Sequence, residues 1–184
     1  MKNNVVILNF SPREGGNCGS ICTVIHDFFN HSNIYSYTIS NIFMPCGACD
    51  YECLKPDESC PSLSQEQREV YEAICLADLV YYVVPNFCGM PNSLYYAFNE
   101  RSVGYFNRNR SVMSQYMSVK KRFIIISNTE RSTFLEAMQQ QTKSVPEILY
   151  MKTSKYGKQS ITGDLMESRQ ALADLMTFLN ADNL

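Results

Sequence analysis

Histidine is scarce in this chain: its 184 residues contain two, His26 and His31. Both fall on or just past the first helical pattern, away from the loops that carry polar chemistry. Their placement speaks against histidine-dependent hydrolysis and His-rich metal sites. None of the eight cysteines is followed six positions later by arginine, so nucleophilic phosphatase or arsenate reductase chemistry of the low-molecular-weight phosphatase type is not expected. Basic excess is lacking too. A net charge of -2 and a pI near 5.7 leave no electrostatic footprint for nucleic acid or an anionic membrane. No apolar run approaches a membrane-spanning length, and the run that follows MKNN is too short for a signal peptide, so a cytoplasmic protein is expected. Repeats and low-complexity tracts are absent.

The length suits one domain spanning 1–184, with interior enough for a central sheet covered on both faces. Strand signals at 5–10, 34–39, 79–84, 123–127 and 147–151 alternate with helical patterns, which predicts a parallel sheet between helices. In the first helix Ile21, Val24, Ile25, Phe28 and Phe29 form one apolar stripe. A second helix over 65–77 starts behind Ser62 or Ser64 and turns Val70, Ile74 and Ala77 inward. A last helix near 164–179 aligns Leu165, Leu172, Leu175, Met176 and Leu179. An irregular insertion is expected near 101–122, rich in Tyr, Met, Asn and Arg. Its Arg101, Arg108, Arg110, Lys120, Lys121 and Arg122 suit a solvated face, a subunit contact or a phosphate-bearing substrate. The pattern resembles the flavodoxin topology, an α/β doubly wound five-stranded parallel sheet of order 2-1-3-4-5.

The first strand runs into the loop SPREGGNCGS and directly onto a helix. Unpartnered loop amides converge there with the positive end of the helix dipole, which makes a phosphate cradle. Ser11, Asn17 and Ser20 offer side-chain donors, while Gly15, Gly16 and Gly19 let the chain curl around an anion. A strand-to-helix turn without a ligand is the alternative. The loop carries neither the lysine of a P-loop NTPase nor the G-x-G-x-x-G of a dinucleotide fold. It resembles the G-S-P-R-x-x-G-N-T loop of the flavodoxin-like NADPH-dependent FMN reductase family. Ser11, Pro12, Arg13, Gly16 and Asn17 agree, Phe10 replaces the leading glycine and Cys18 the threonine. The resemblance implies that Ser11, Arg13, Asn17, Cys18, Gly19 and Ser20 surround the FMN phosphate.

After the third strand comes VPNFCGMPNSLYYAFNER, in which Pro85 is expected to end the strand. Phe87 offers a flat apolar face and Gly89 an unusual backbone angle. The segment resembles the P-V-Y-F-G…K-x-F-x-D-R stretch by which the same family binds the isoalloxazine ring. Pro85, Phe87, Gly89, Phe98 and Arg101 agree, whereas Asn86, Cys88, Tyr96 and Glu100 replace other residues. Ring contacts are therefore implied for Pro85, Asn86, Phe87, Cys88 and Gly89, with backbone amides of that loop on the ring's polar edge. A third ligand loop is implied at 127–132. Surface loops without a ligand are the alternative for both segments.

Cys46, Cys49, Cys53 and Cys60 fall within fifteen residues, in a cysteine-rich loop at 44–61. Bunched cysteines in an ordinary α/β chain suggest metal or redox chemistry more than a disulfide scaffold. Their C-x2-C-x3-C-x6-C spacing resembles the compact motif of iron-sulfur flavoproteins, relatives of the FMN reductases. Three readings stay open: a 4Fe-4S cluster, a structural zinc held by the four cysteines, and free or transiently oxidised thiols. The scattered Cys22 and Cys75 read as small core residues.

The resemblance thus implies an FMN-dependent oxidoreductase that passes electrons from NAD(P)H or another donor to a quinone, flavin or redox protein. No acid-base side chain is then needed, since the cofactor carries the chemistry. A homo-oligomer is also implied. Two alternatives remain: an electron-transfer iron-sulfur flavoprotein without NAD(P)H reductase activity, and a non-enzymatic protein binding zinc or another phosphate ligand.

Overall fold

The computed structural model describes residues 2–47, 49–55, 60–107, 110–128 and 133–181. In chain order its elements are β1 (Asn4–Asn9), α1 (Asn17–Phe28), β2 (Asn33–Thr38), α2 (Gln65–Cys75), β3 (Leu79–Phe87), β4 (Met90–Pro91), α3 (Ser93–Phe106), α4 (Arg110–Ser118), β5 (Lys120–Ser127), α5 (Thr133–Gln139), β6 (Glu147–Lys152) and α6 (Arg169–Asn180). The five long strands are parallel and ordered β2-β1-β3-β5-β6, the expected 2-1-3-4-5 arrangement. Two-residue β4 pairs antiparallel with the end of β3 and was not expected.

Apolar runs of β1, β3 and β5 fill the middle of the sheet because both faces there are covered. Alternate residues divide between two cores. On one face Val5, Ile7, Tyr81 and Ile124 pack with Ile21 and Ile25 of α1 and Leu175 and Leu179 of α6. On the other, Val6, Leu8, Tyr82 and Phe123 pack with Tyr71, Phe98, Tyr116 and Phe134 from α2 to α5. Phe10, fully buried, anchors that second core at the end of β1, with its ring 5.6 Å from Tyr82, 5.8 Å from Tyr95 and 5.7 Å from Phe98. Ser64 caps α2 in a capping box with Gln67.

Several details differ from the sequence reading. β3 continues through Pro85, which stays in register with Ile126. Val83 gives its carbonyl to Phe10 N, so Pro85 two residues on faces the same side, where β1 has ended and no ladder donor is missed. The last helix begins at Arg169, after a single 3-10 turn at Leu165–Glu167, and Leu172 on its stripe is exposed. Residues 101–122 are not an irregular insertion among the described residues: they complete α3, form α4 and open β5. Three of their cations are engaged inside the fold. Arg101 bonds the carbonyls of Met44 and Pro45, Arg122 pairs with Glu147 at 2.9 Å, and Lys121 is buried against the Tyr116 ring.

Lys121 makes the fold's stability depend on pH. Burial lowers its amine to about 7, against the ordinary lysine value near 10.4. Between those values the unfolded chain binds more protons, so stability rises with pH. Burial also pushes the Cys75 thiol up to about 11 and Cys18 up to about 12, from 9.0. Above about 9 the unfolded chain loses thiol protons that the fold retains, and the trend reverses. Urea denaturation should show stability rising from about pH 7 to 9, by at most about 1.4 kcal/mol per unit, then falling. Lys121→Met should abolish the rise and keep the fall; a wild-type profile flat between pH 7 and 9 contradicts this.

Candidate functional site

The strand order reverses between β1 and β3, which leaves a crevice at the carboxyl ends of the central strands. A cavity of about 200 Å³ lies there. Ser11, Arg13, Gly16, Asn17 and Cys18 line one side, Pro85, Asn86 and Ile126 another, and Ser160 closes it. Of the residues implied by the sequence, Ser11, Arg13, Asn17, Cys18, Pro85 and Asn86 come together around it. Gly19, Ser20, Phe87, Cys88 and Gly89 are not among its lining residues.

α1 starts without a side-chain cap. Gly16 holds the N-cap position in extended backbone and supplies no side-chain hydrogen bond, and no acidic residue stands in the first turn. A helix start without a side-chain cap, together with the helix dipole, favours an anion. The preceding loop is shaped by its own bonds: Ser11 N donates to Asn9 Oδ1 at 2.9 Å and Arg13 N to Ser11 Oγ at 3.2 Å. Burial raises the Cys18 thiol to about 12, with the nearby Ser11 hydroxyl opposing the shift, so the thiol is neutral at physiological pH and puts no negative charge beside an anion.

Asn17 and Ser20 have a different role from the implied one. Asn17 is buried and wholly engaged: its Nδ2 donates to the carbonyls of Gln159 (3.4 Å) and Ser160 (3.1 Å), and its Oδ1 accepts from Leu165 N at 2.9 Å. Ser20 Oγ turns to the carbonyls of Gly16 and Gly163. Both side chains clamp the segment 157–165, between β6 and α6, onto the loop that precedes α1 and the start of that helix. Gly163 has φ +82, and a Cβ on it would run into the Gly15 carbonyl oxygen, so only glycine permits this approach. The strap and the lining residues Ile126 and Ser160 were missed from sequence. Gly157 and Gly163, flanking a polar run after the last strand, were the available signal.

At the other wall β3 overshoots the sheet and turns back through Cys88 (φ 52) and Gly89 (φ 87) into β4. Positive φ at both positions is what a two-residue type I′ hairpin turn requires. Asn86 braces the hairpin: its Oδ1 accepts from Gly89 N at 2.7 Å, and its Nδ2 bonds Ser127 Oγ and, at 3.4 Å, Tyr150 OH. The Gly89 amide is therefore engaged rather than offered to a ring. Phe87 is 69% exposed and Met90 52% exposed on the hairpin's surface. Arg101 and Glu100, matched to the ring-binding stretch, instead hold the cysteine-rich loop, where Glu100 accepts from Cys46 N at 2.9 Å. Most of the implied third ligand loop, 129–132, lies outside the described residues.

Among the described residues no group of three or more His, Cys, Asp or Glu side chains is placed to hold a metal ion. Neither a 4Fe-4S cluster nor a four-cysteine zinc therefore finds support in this geometry. No described helix is long and apolar enough to cross a membrane.

Solved structures place the architecture. The Trp repressor binding protein from Bacillus subtilis superposes with a TM-score of 0.62 at 16% identity, over 98% of this chain and 99% of that one. The fold is flavodoxin-like. An NADH:FMN oxidoreductase in its apo form gives 0.56 at 12% identity (98% and 90% covered). FerB, a flavoenzyme NAD(P)H:(acceptor) oxidoreductase from Paracoccus denitrificans, gives 0.57 at 9% identity (97% and 96% covered). No protein-family model matches the sequence, and no curated protein matches it either.

The reassignment of Asn17 is measurable by urea denaturation without ligand. Asn17→Ala should lower stability by about 2 kcal/mol, since it orphans the Leu165 amide and two carbonyls. Ser20→Ala, which loses only two long bonds, should cost less than about 1 kcal/mol. Unchanged stability of Asn17→Ala would return that side chain to the ligand.

Proposed function

We propose that this chain is an FMN-dependent oxidoreductase that accepts electrons from NAD(P)H and delivers them to a quinone, a flavin or a redox protein. One observation carries the reading: the uncapped, acid-free start of α1 opens on a cavity at the topological switch of a flavodoxin-like sheet. Two proteins sharing the fold are, by name, NAD(P)H-dependent oxidoreductases, one of them of FMN, which supports both nicotinamide donor and cofactor.

The residues fit the cofactor's anionic tail. A volume of about 200 Å³ falls below the ~300–1,000 Å³ of pockets that enclose whole small molecules, so it suits the phosphate and its chain. The first-turn amides of α1 would hold the phosphate, with Arg13 at the rim as counter-charge and Ser11 shaping the loop. Pro85 and Asn86 would meet the planar end where the cavity opens toward the hairpin. A bound flavin supplies hydride acceptance and one- or two-electron release. The chain's own part is to orient it and keep its surroundings free of negative charge, which the neutral Cys18 thiol serves. No proton-transferring side chain is required.

Fluorescence titration tests the phosphate's share. FMN should bind on the order of 100-fold tighter than riboflavin, reflecting charge-assisted bonds that riboflavin lacks. Arg13→Ala should weaken FMN about tenfold and leave riboflavin unchanged. Anaerobic NADH or NADPH should then bleach the bound flavin. Equal affinity for FMN and riboflavin, or no flavin binding, would refute the reading; binding without bleaching by either nucleotide would leave an electron carrier in place of a reductase.

A further inference from the structure

The cysteine-rich loop is fastened along α3 by side chains that have no part in the crevice. Arg101, 6% exposed, donates Nε to the Met44 carbonyl at 3.0 Å and Nη2 to the Pro45 carbonyl at 2.8 Å. Asn107 Nδ2 donates to the Cys53 carbonyl at 2.6 Å. Between these clamps Gly104 leaves a bare patch on the helix, and two cysteines lie over it. A Cβ at Gly104 would come within 2.8 Å of Cys60 Cβ, 3.1 Å of its Sγ and 4.0 Å of Cys53 Cβ.

Cys53 and Cys60 are thus pressed against one point of the same helix. Both are half-buried free thiols. The Cys60 and Cys53 Cβ atoms stand 2.8 and 4.0 Å from that one point, so they are no farther apart than those two distances combined, and disulfide bonding needs Cβ atoms about 3.5–4.5 Å apart. The loop between them is short, so closing it adds little entropic cost. With no described group of three ligands placed for a metal, the geometry favours chemistry between two sulfurs.

We propose that Cys53 and Cys60 form a redox-active dithiol that a peroxide oxidises to an intramolecular disulfide. One thiolate attacks a peroxide oxygen, the O–O bond breaks, and a sulfenic acid forms with release of water. The second thiol attacks that sulfur, the S–O bond breaks, and a second water leaves as the S–S bond forms. Two thiols are oxidised and one peroxide is reduced to two waters. The proposal holds whether or not the crevice takes FMN.

The experiment is peptide mapping by mass spectrometry of the full chain, reduced, desalted, treated with stoichiometric hydrogen peroxide and then alkylated. The expected product is a Cys53–Cys60 cross-linked peptide, lighter by two hydrogens than the dithiol, with two fewer alkylated thiols. It should form equally in a Cys46→Ser, Cys49→Ser double variant and vanish in Cys60→Ser. A predominant Cys46–Cys49 bridge, sulfinic acids on separate cysteines, or full retention of alkylatable thiols would each overturn it; the wild-type map alone decides this even if a variant fails to fold.

Discussion

The structure depends on keeping the first turn of α1 fixed in place without a side-chain cap. A helix start ordinarily takes a side-chain cap, and here Gly16 supplies none. The position is secured from beneath and from the side instead. Phe10 roots the end of β1 among Tyr82, Tyr95 and Phe98, and its carbonyl accepts from Asn92 Nδ2 at 2.6 Å. Asn17 ties the helix to the strap, and Gly163 lets that strap lie against Gly15. Order thus comes from packing and from buried side-chain bonds rather than from a cap, which is what the proposed anion site at this helix start requires.

The same division of labour applies at the hairpin wall of the cavity. Asn86 is committed to bracing the hairpin, through Gly89 N, Ser127 and Tyr150, so the hairpin presents a preset edge. Phe87 and Met90 give that edge an apolar surface. The matched Arg101 and Glu100 are not among the cavity's lining residues and hold the 44–46 backbone to α3. Residues matched by motif can therefore keep their identity while their partners are other parts of the fold.

The strands and the main helices were legible because central parallel strands buried on both faces write themselves as apolar runs, and helices as spaced stripes, whereas the sheet order rested on the resemblance to the flavodoxin topology. The 10–20 segment was legible as a strand end, a Ser/Gly/Asn turn and a helix. What sequence could not convey was engagement: Asn17 reads as a donor to a ligand, yet its partners Gln159, Ser160 and Leu165 lie more than 140 positions on. The strap has no apolar period, and the hairpin hides behind a Cys-Gly pair whose turn requires positive φ at a cysteine. Pro85 misled for a geometric reason, since its missing donor faces the gap left by β1. Residues 101–122 looked irregular because α3 and α4 bury aromatic residues amid polar ones without a clean stripe.

The most direct measurement is amide NMR of the chain titrated with FMN. Phosphate capture at the start of α1 predicts that the Asn17, Cys18 and Gly19 amide protons move downfield together and saturate with the bound fraction. Saturable FMN binding that leaves those three resonances unmoved would place the anion elsewhere and contradict the assignment.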